Sequence, residues 1–135
     1  MREILFRGKI VDNGEWIEGQ LLHFKSSVGR GELAVIVAGC EWNNANEWFN
    51  LGKRAKVIPE TVGQYTGLTD KNGKKIFEGD IVNFSDSLYY IVFADGCFRI
   101  CRNGKYSYTL HNLHSAFEIV GNIHDNPELV KGGAE

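Results

Sequence analysis

Four dipeptides, Asn13-Gly14, Asn72-Gly73, Asp95-Gly96 and Asn103-Gly104, punctuate this sequence. Asn-Gly and Asp-Gly favour the positive φ angles of type I′ turns, whose twist matches that of paired strands. The segments between them are rich in β-branched and aromatic residues, so the sequence predicts a mainly β, antiparallel protein. Glycine is abundant, at 16 residues, and proline scarce, at 2, which suits short strands joined by tight turns. Two stretches have helical character. One is 44–51. The other is 126–130, where Asp125 or Asn126 caps, Pro127 takes the first turn and Gly132-Gly133 stops a short C-terminal helix.

Two hairpins can be read residue by residue. A two-residue turn at Asn13-Gly14 pairs Val11 with Trp16, Ile10 with Ile17, Lys9 with Glu18, Gly8 with Gly19 and Phe6 with Leu21. Alternation along a strand then gathers Ile4, Phe6, Ile10, Ile17 and Leu21 on a core face, and Arg7, Lys9, Glu18 and Gln20 on the other. A slip of one residue would bring the charges inside. The same pairing sets Asp12 opposite Glu15, a conflict that a longer turn or a bulge relieves. At Asp95-Gly96, Phe93 pairs with Phe98, Val92 with Arg99, Ile91 with Ile100 and Tyr90 with Cys101. Ile91, Phe93, Phe98 and Ile100 form the apolar face, and Tyr89 extends it beside the stem of Arg102. Further strands are expected at 33–38, 54–58, 62–66, 80–84, 106–110 and 117–123.

A length of 135 residues suits one compact domain or two small β lobes sharing a core. The expected division is an N-terminal β lobe at 1–58, carrying a variable aromatic loop, and 59–135. The second part starts in a glycine-rich segment and continues as a meander with the pattern of a small SH3-like barrel. The net charge of −2 gives no general attraction to nucleic acid or anionic lipid. No apolar run reaches the roughly 18 residues that span a bilayer. The opening MREILFRGKIV reads as a strand and not as a secretory signal. The expected location is therefore the bacterial cytoplasm, with thiols reduced.

Three segments carry a family resemblance. The stretch 59–82, PETVGQYTGLTDKNGKKIFEGDIV, closely resembles the signature of the YopX-like family. The opening REILFRGK and the closing FEIVGNIHDNPELV resemble that family's two ends. Residues 25–55 match no motif of it. The resemblance implies a mostly β, two-lobed architecture of bacteriophage or prophage origin, with self-association. It implies no catalytic residue, because the family pattern offers none to transfer.

The residues offer little chemistry. Cys97, Cys101, His111 and His114 form C-x3-C-x9-H-x2-H, the nearest approach to a zinc pattern. Cys97 and Cys101 fall on one expected strand, about 13 Å apart at roughly 3.3 Å per residue. Two zinc-bound sulfurs lie only about 4 Å apart, and a disulfide needs Cα atoms within about 7 Å. Four histidines could supply a base, but none has a positioned partner in sequence. Asp80 reads as a turn residue bonding nearby N–H groups. Gly29 and Gly31 give Gly-x-Gly with no helix to receive a phosphate. We therefore expect no catalytic, cofactor-binding or metal-ligating residues.

Trp42, Trp48 and Phe49 differ from all of these. They lie in a polar, asparagine-rich stretch, 41–50, and large aromatics there mark either a lid over the core or a contact surface. The leading expectation is a non-catalytic accessory protein that self-associates and binds a host or phage protein through these residues. The alternative is a small nucleic-acid-binding β barrel using Lys71, Lys74 and Lys75, for which the charge needed to neutralise phosphates is lacking. The third reading is an enzyme whose acid–base pair the fold alone assembles. A concave pocket joining a histidine to a carboxylate would be its sign.

Overall fold

The computed structural model describes residues 2–29, 31–111 and 113–130. It is mainly β, with thirteen strands among the described residues and single 3₁₀ turns in place of longer helices. The chain divides into two compact units, Glu3–Gln64 and the residues from Tyr65 onward.

The first unit contains β1 (Phe6–Lys9), β2 (Trp16–Lys25), β3 (Glu32–Ala38), β4 (Glu41–Asn43), β5 (Trp48–Asn50) and β6 (Lys53–Val57). Its main antiparallel sheet runs β6-β3-β2-β1, and Gly63 and Gln64 pair onto the outer side of β1. Ile10, just past β1, bridges Val57 and so draws the end of β1 back to β6. That crossing explains Gly8, where an added Cβ would lie 3.0 Å from the Val57 side chain. Ile10, Ile17, Ala34, Ile36 and Val57 form the buried cluster, with Phe6, Leu21, Ala38, Ala55 and Val62 packed on it.

The second unit contains most of β7 (Gly63–Thr69), then β8 (Lys75–Phe77), β9 (Asp80–Phe84), β10 (Ser87–Ala94), β11 (Cys97–Arg102), β12 (Lys105–Thr109) and β13 (Glu118–Asn122). β7 pairs with β8, and a five-stranded antiparallel sheet runs β12-β11-β10-β9-β13. Ile76, Val82, Ile91, Ile100, Leu110 and Phe117 form its buried cluster. Each unit thus has its own cluster of buried apolar residues. The sheet of the second unit is open, with β12 and β13 at opposite edges, so the expected SH3-like barrel is not closed.

The β10–β11 register is as expected, from Tyr90 opposite Cys101 to Phe93 opposite Phe98. Ile91 and Ile100 are buried, but Phe93, one pair from the turn, is 54% exposed and does not belong to the core. The first hairpin is shifted by two residues: Phe6 faces Gly19, Gly8 faces Ile17 and Lys9 faces Trp16. A shift of two preserves the faces, so Ile10 and Ile17 are both buried without being partners. The longer loop closes through Ile10 N–H to Glu15 O at 2.8 Å and Gly14 N–H to Ile10 O at 2.9 Å. It removes the Asp12–Glu15 opposition. Ile4, expected on the core face, is 45% exposed.

The helical expectation for 44–51 is corrected, and that for 126–130 is met by a single 3₁₀ turn. Within 44–51 the chain makes a turn and then β5, because Trp48–Asn50 pairs with Glu41–Asn43. At the C-terminal end there is one 3₁₀ turn, Pro127–Leu129, without a side-chain cap. Asn126 instead turns its Oδ1 back to accept the Asn122 N–H at 3.2 Å. The expected stop at Gly132-Gly133 lies outside the described residues.

Candidate interaction surface

β4 and β5 form a hairpin that pairs with no other strand among the described residues. Asn43 starts its turn, with Oδ1 accepting the Ala45 N–H at 2.9 Å, and Glu47 ends it at a φ of 53°. Trp42 faces Phe49, and Asn43 faces Trp48. The Trp48 indole N–H donates to Asn50 Oδ1 at 3.1 Å, and the Trp48 and Phe49 rings stack with centroids 6.2 Å apart. At the base, an added Cβ on Gly52 would collide with the Ala38 carbonyl oxygen, so the strand leaving the hairpin passes tightly against the end of β3.

Trp42, Trp48 and Phe49 are 60%, 61% and 59% exposed. They are not a lid over the core of their own unit. A two-stranded hairpin is marginal alone in water, and three large aromatics on one add exposed apolar area that folding does not bury. Between them, Glu41, Asn43, Asn44 and Asn50 supply amides and a carboxylate around Trp42.

The glycine-rich segment holds structure. Asp70 is buried at the β7–β8 turn, where its Oδ1 accepts the N–H groups of Asn72 and Lys74 and its Oδ2 accepts that of Ile119 on β13. Burial pushes its pKa up, but those three N–H donors and the Lys74 charge outweigh it, and the carboxyl is held below its ordinary value. Sequence reading passed over Asp70, although an aspartate two residues before Asn-Gly is the spacing of such a turn. Asp80 accepts the Phe77 N–H through Oδ2 at 2.7 Å, the backbone role expected for it.

Lys71, Lys74 and Lys75 are brought to that same turn, but not as a bare cationic patch. Lys71 Nζ lies 3.6 Å from Glu118 Oε1, Lys74 sits beside the Asp70 carboxylate, and Lys75 Nζ lies 5.7 Å from the Tyr65 ring centroid. Cys97 and Cys101 both lie on β11, the first half-buried and the second buried. The histidines are scattered. His114 Nδ1 contacts the Thr69 carbonyl at 2.8 Å, and His111 is exposed. One histidine has the partner that sequence order could not show. His23 Nε2 lies 2.6 Å from Glu32 Oε2 across β2 and β3, beside a hollow lined by Leu21, Ala34, Pro59 and Val62. Both side chains are 40% exposed. Among the described residues Glu32 is the one hydrogen-bond partner of the His23 ring.

The family described as YopX protein matches residues 5–131. The chain belongs to the YopX family. The match spans the two ends and the glycine-rich signature, and it also takes in 25–55, where no family motif was recognised. Among solved structures, the crystal structure of protein EF1440 from Enterococcus faecalis is similar to this YopX chain. Its TM-score is 0.67 at 26% identity, covering 97% of this chain and 100% of that one. No curated protein matches the sequence. Among the described residues, no helix is long and apolar enough to cross a membrane.

Proposed function

We propose that this YopX-family protein is a non-catalytic, self-associating accessory protein of phage or prophage origin. It binds a host or phage protein in the bacterial cytoplasm, and β4–β5 is its contact surface. One observation carries the reading: Trp42, Trp48 and Phe49 are all about 60% exposed on a hairpin with no other strand partner among the described residues. Aromatic side chains are the usual anchors of protein interfaces, and truncating an anchor costs about 2 kcal/mol or more of binding. Phage origin rests on the family resemblance. The His23–Glu32 pair has both side chains 40% exposed and reads as a cross-strand surface contact of small value.

The test is Trp48→Ala with Phe49→Ala in one chain. Light scattering should find the wild type larger than a monomer and the double variant shifted toward monomer. The melting transition should stay cooperative and nearly unmoved. A wild type that remains monomeric at high concentration removes self-association. A variant that loses thermal stability with unchanged assembly removes the contact role of the hairpin.

A further inference from the structure

The second unit contains a cavity of about 200 Å³ at the end of its five-stranded sheet. Residues of the β9–β10 and β11–β12 turns form one side, and Leu129 and Val130 of the C-terminal turn form another. The volume is below the roughly 300–1,000 Å³ of pockets for drug-sized ligands, so its occupant is small. Two opposite charges line it. Arg102 donates from Nη1 to Ser87 Oγ at 3.4 Å, and its Cζ lies 6.0 Å from the Tyr89 ring centroid. A guanidinium has five N–H donors, and among the described residues Ser87 takes one of them. Asp86 adopts a φ of 63° in the β9–β10 turn and is exposed at the edge of the cavity. Neither residue forms an ion pair among the described residues.

The rest of the lining is neutral. Tyr90 faces Cys101 across β10 and β11, and the Cys101 side chain, with burial and the neighbouring Tyr106, pushes its pKa up to about 12. It stays an uncharged hydroxyl. Leu88, Leu129 and Val130 supply apolar wall. A simple anion would meet the like charge of Asp86, and a simple cation that of Arg102. A molecule with both charges satisfies both.

We propose that this cavity binds a small zwitterion with an apolar body, an α-amino acid of the leucine type. Its carboxylate lies on the Arg102 fork, where bidentate pairing is strongest. Its ammonium faces Asp86, and its side chain lies against Leu129 and Val130. The site is built from elements other than those of the aromatic hairpin.

The test uses the full chain and three probes: L-leucine, 4-methylpentanoate, which lacks the ammonium, and 3-methylbutylamine, which lacks the carboxylate. Calorimetric titration should show leucine binding at least about tenfold more tightly than either analogue. Backbone amide NMR shifts should concentrate at residues 86–90, 101–103 and 129–130. Arg102→Gln should weaken leucine about tenfold or more, with its melting transition kept as the check on folding. Asp86→Asn should weaken leucine while leaving 4-methylpentanoate no weaker. Absence of leucine binding to the wild type overturns the proposal, as does equal binding of an analogue or undiminished binding to Arg102→Gln. Should Arg102→Gln fail to fold, Asp86→Asn and the two analogues decide the matter.

Discussion

Asp70 ties the β7–β8 turn to β13 with one carboxylate, taking N–H groups from Asn72, Lys74 and Ile119. Its folded pKa lies below the ordinary 3.8, so its contribution to stability is fully present above about pH 4. It is lost as pH falls through the lower folded value, where the carboxylate takes up a proton and ceases to accept at both oxygens. Denaturant unfolding of wild type and Asp70→Asn at a series of pH values should show the variant less stable by about 1–3 kcal/mol at neutral pH. The difference should shrink below pH 4. A difference that stays constant into acid would remove this role. Gly19 makes a second point at this scale, since an added Cβ would run into the Val37 carbonyl oxygen on the neighbouring strand. Gly19→Ala should therefore lower the urea midpoint, at a cost of about 1–3 kcal/mol, without changing the denaturant slope.

Hairpins show which parts of a β element its own sequence carries. In β10–β11, Asp95 and Gly96 have φ of 54° and 81°, the type I′ pattern their dipeptide favours, and the register follows. Burial does not follow from register. Ile91 is 1% exposed while Phe93 is 54% exposed, its ring edge-on to Phe98 at 5.1 Å. Ile91→Ala should cost about 2–5 kcal/mol, and Phe93→Ala only about 1 kcal/mol, the worth of the ring pair. Equal losses in the two variants, measured by chemical denaturation, would show that Phe93 is buried in solution. At Asn13-Gly14 only the glycine takes a positive φ, and the loop lengthens because Ile10 is claimed by Val57 from another strand. The turn at Ser85-Asp86, with φ of 53° and 63°, had no dipeptide signal at all. Local pairings were legible where turn chemistry is local. The order β6-β3-β2-β1 was not, since it depends on contacts between distant segments that leave no periodic trace. The aromatic hairpin could be picked out as Trp and Phe among asparagines. The Asp86–Arg102 cavity could not, because three separated segments build it.

At the scale of the whole molecule, the deciding quantity is charge and where the fold puts it. The sequence carries a net charge of −2. The structure then commits several of the cations that could have gathered into a basic stripe. Lys71 lies against Glu118, Arg7 lies over Trp16 at 4.8 Å, and Lys75 lies over Tyr65. Phosphate neutralisation dominates the affinity of proteins for nucleic acid, and each contact made contributes to a steep loss with salt. A chain of net negative charge whose turn lysines lie beside Glu118, Asp70 and Tyr65 is poorly placed to gather the phosphate contacts that release counterions. Electrophoretic mobility of single- and double-stranded DNA and of RNA should therefore be unchanged by this protein at low ionic strength. Replacing Lys71, Lys74 and Lys75 together by Gln should leave that null result as it is, and should also leave assembly unaffected, because the aromatic hairpin lies on another element. A shift that appears at low salt, fades as salt is raised and is abolished by the triple replacement would reinstate the turn after β7 as a nucleic-acid contact. It would also show that Lys71 exchanges Glu118 for phosphate, an exchange open to a surface pair 3.6 Å apart with both side chains nearly half exposed.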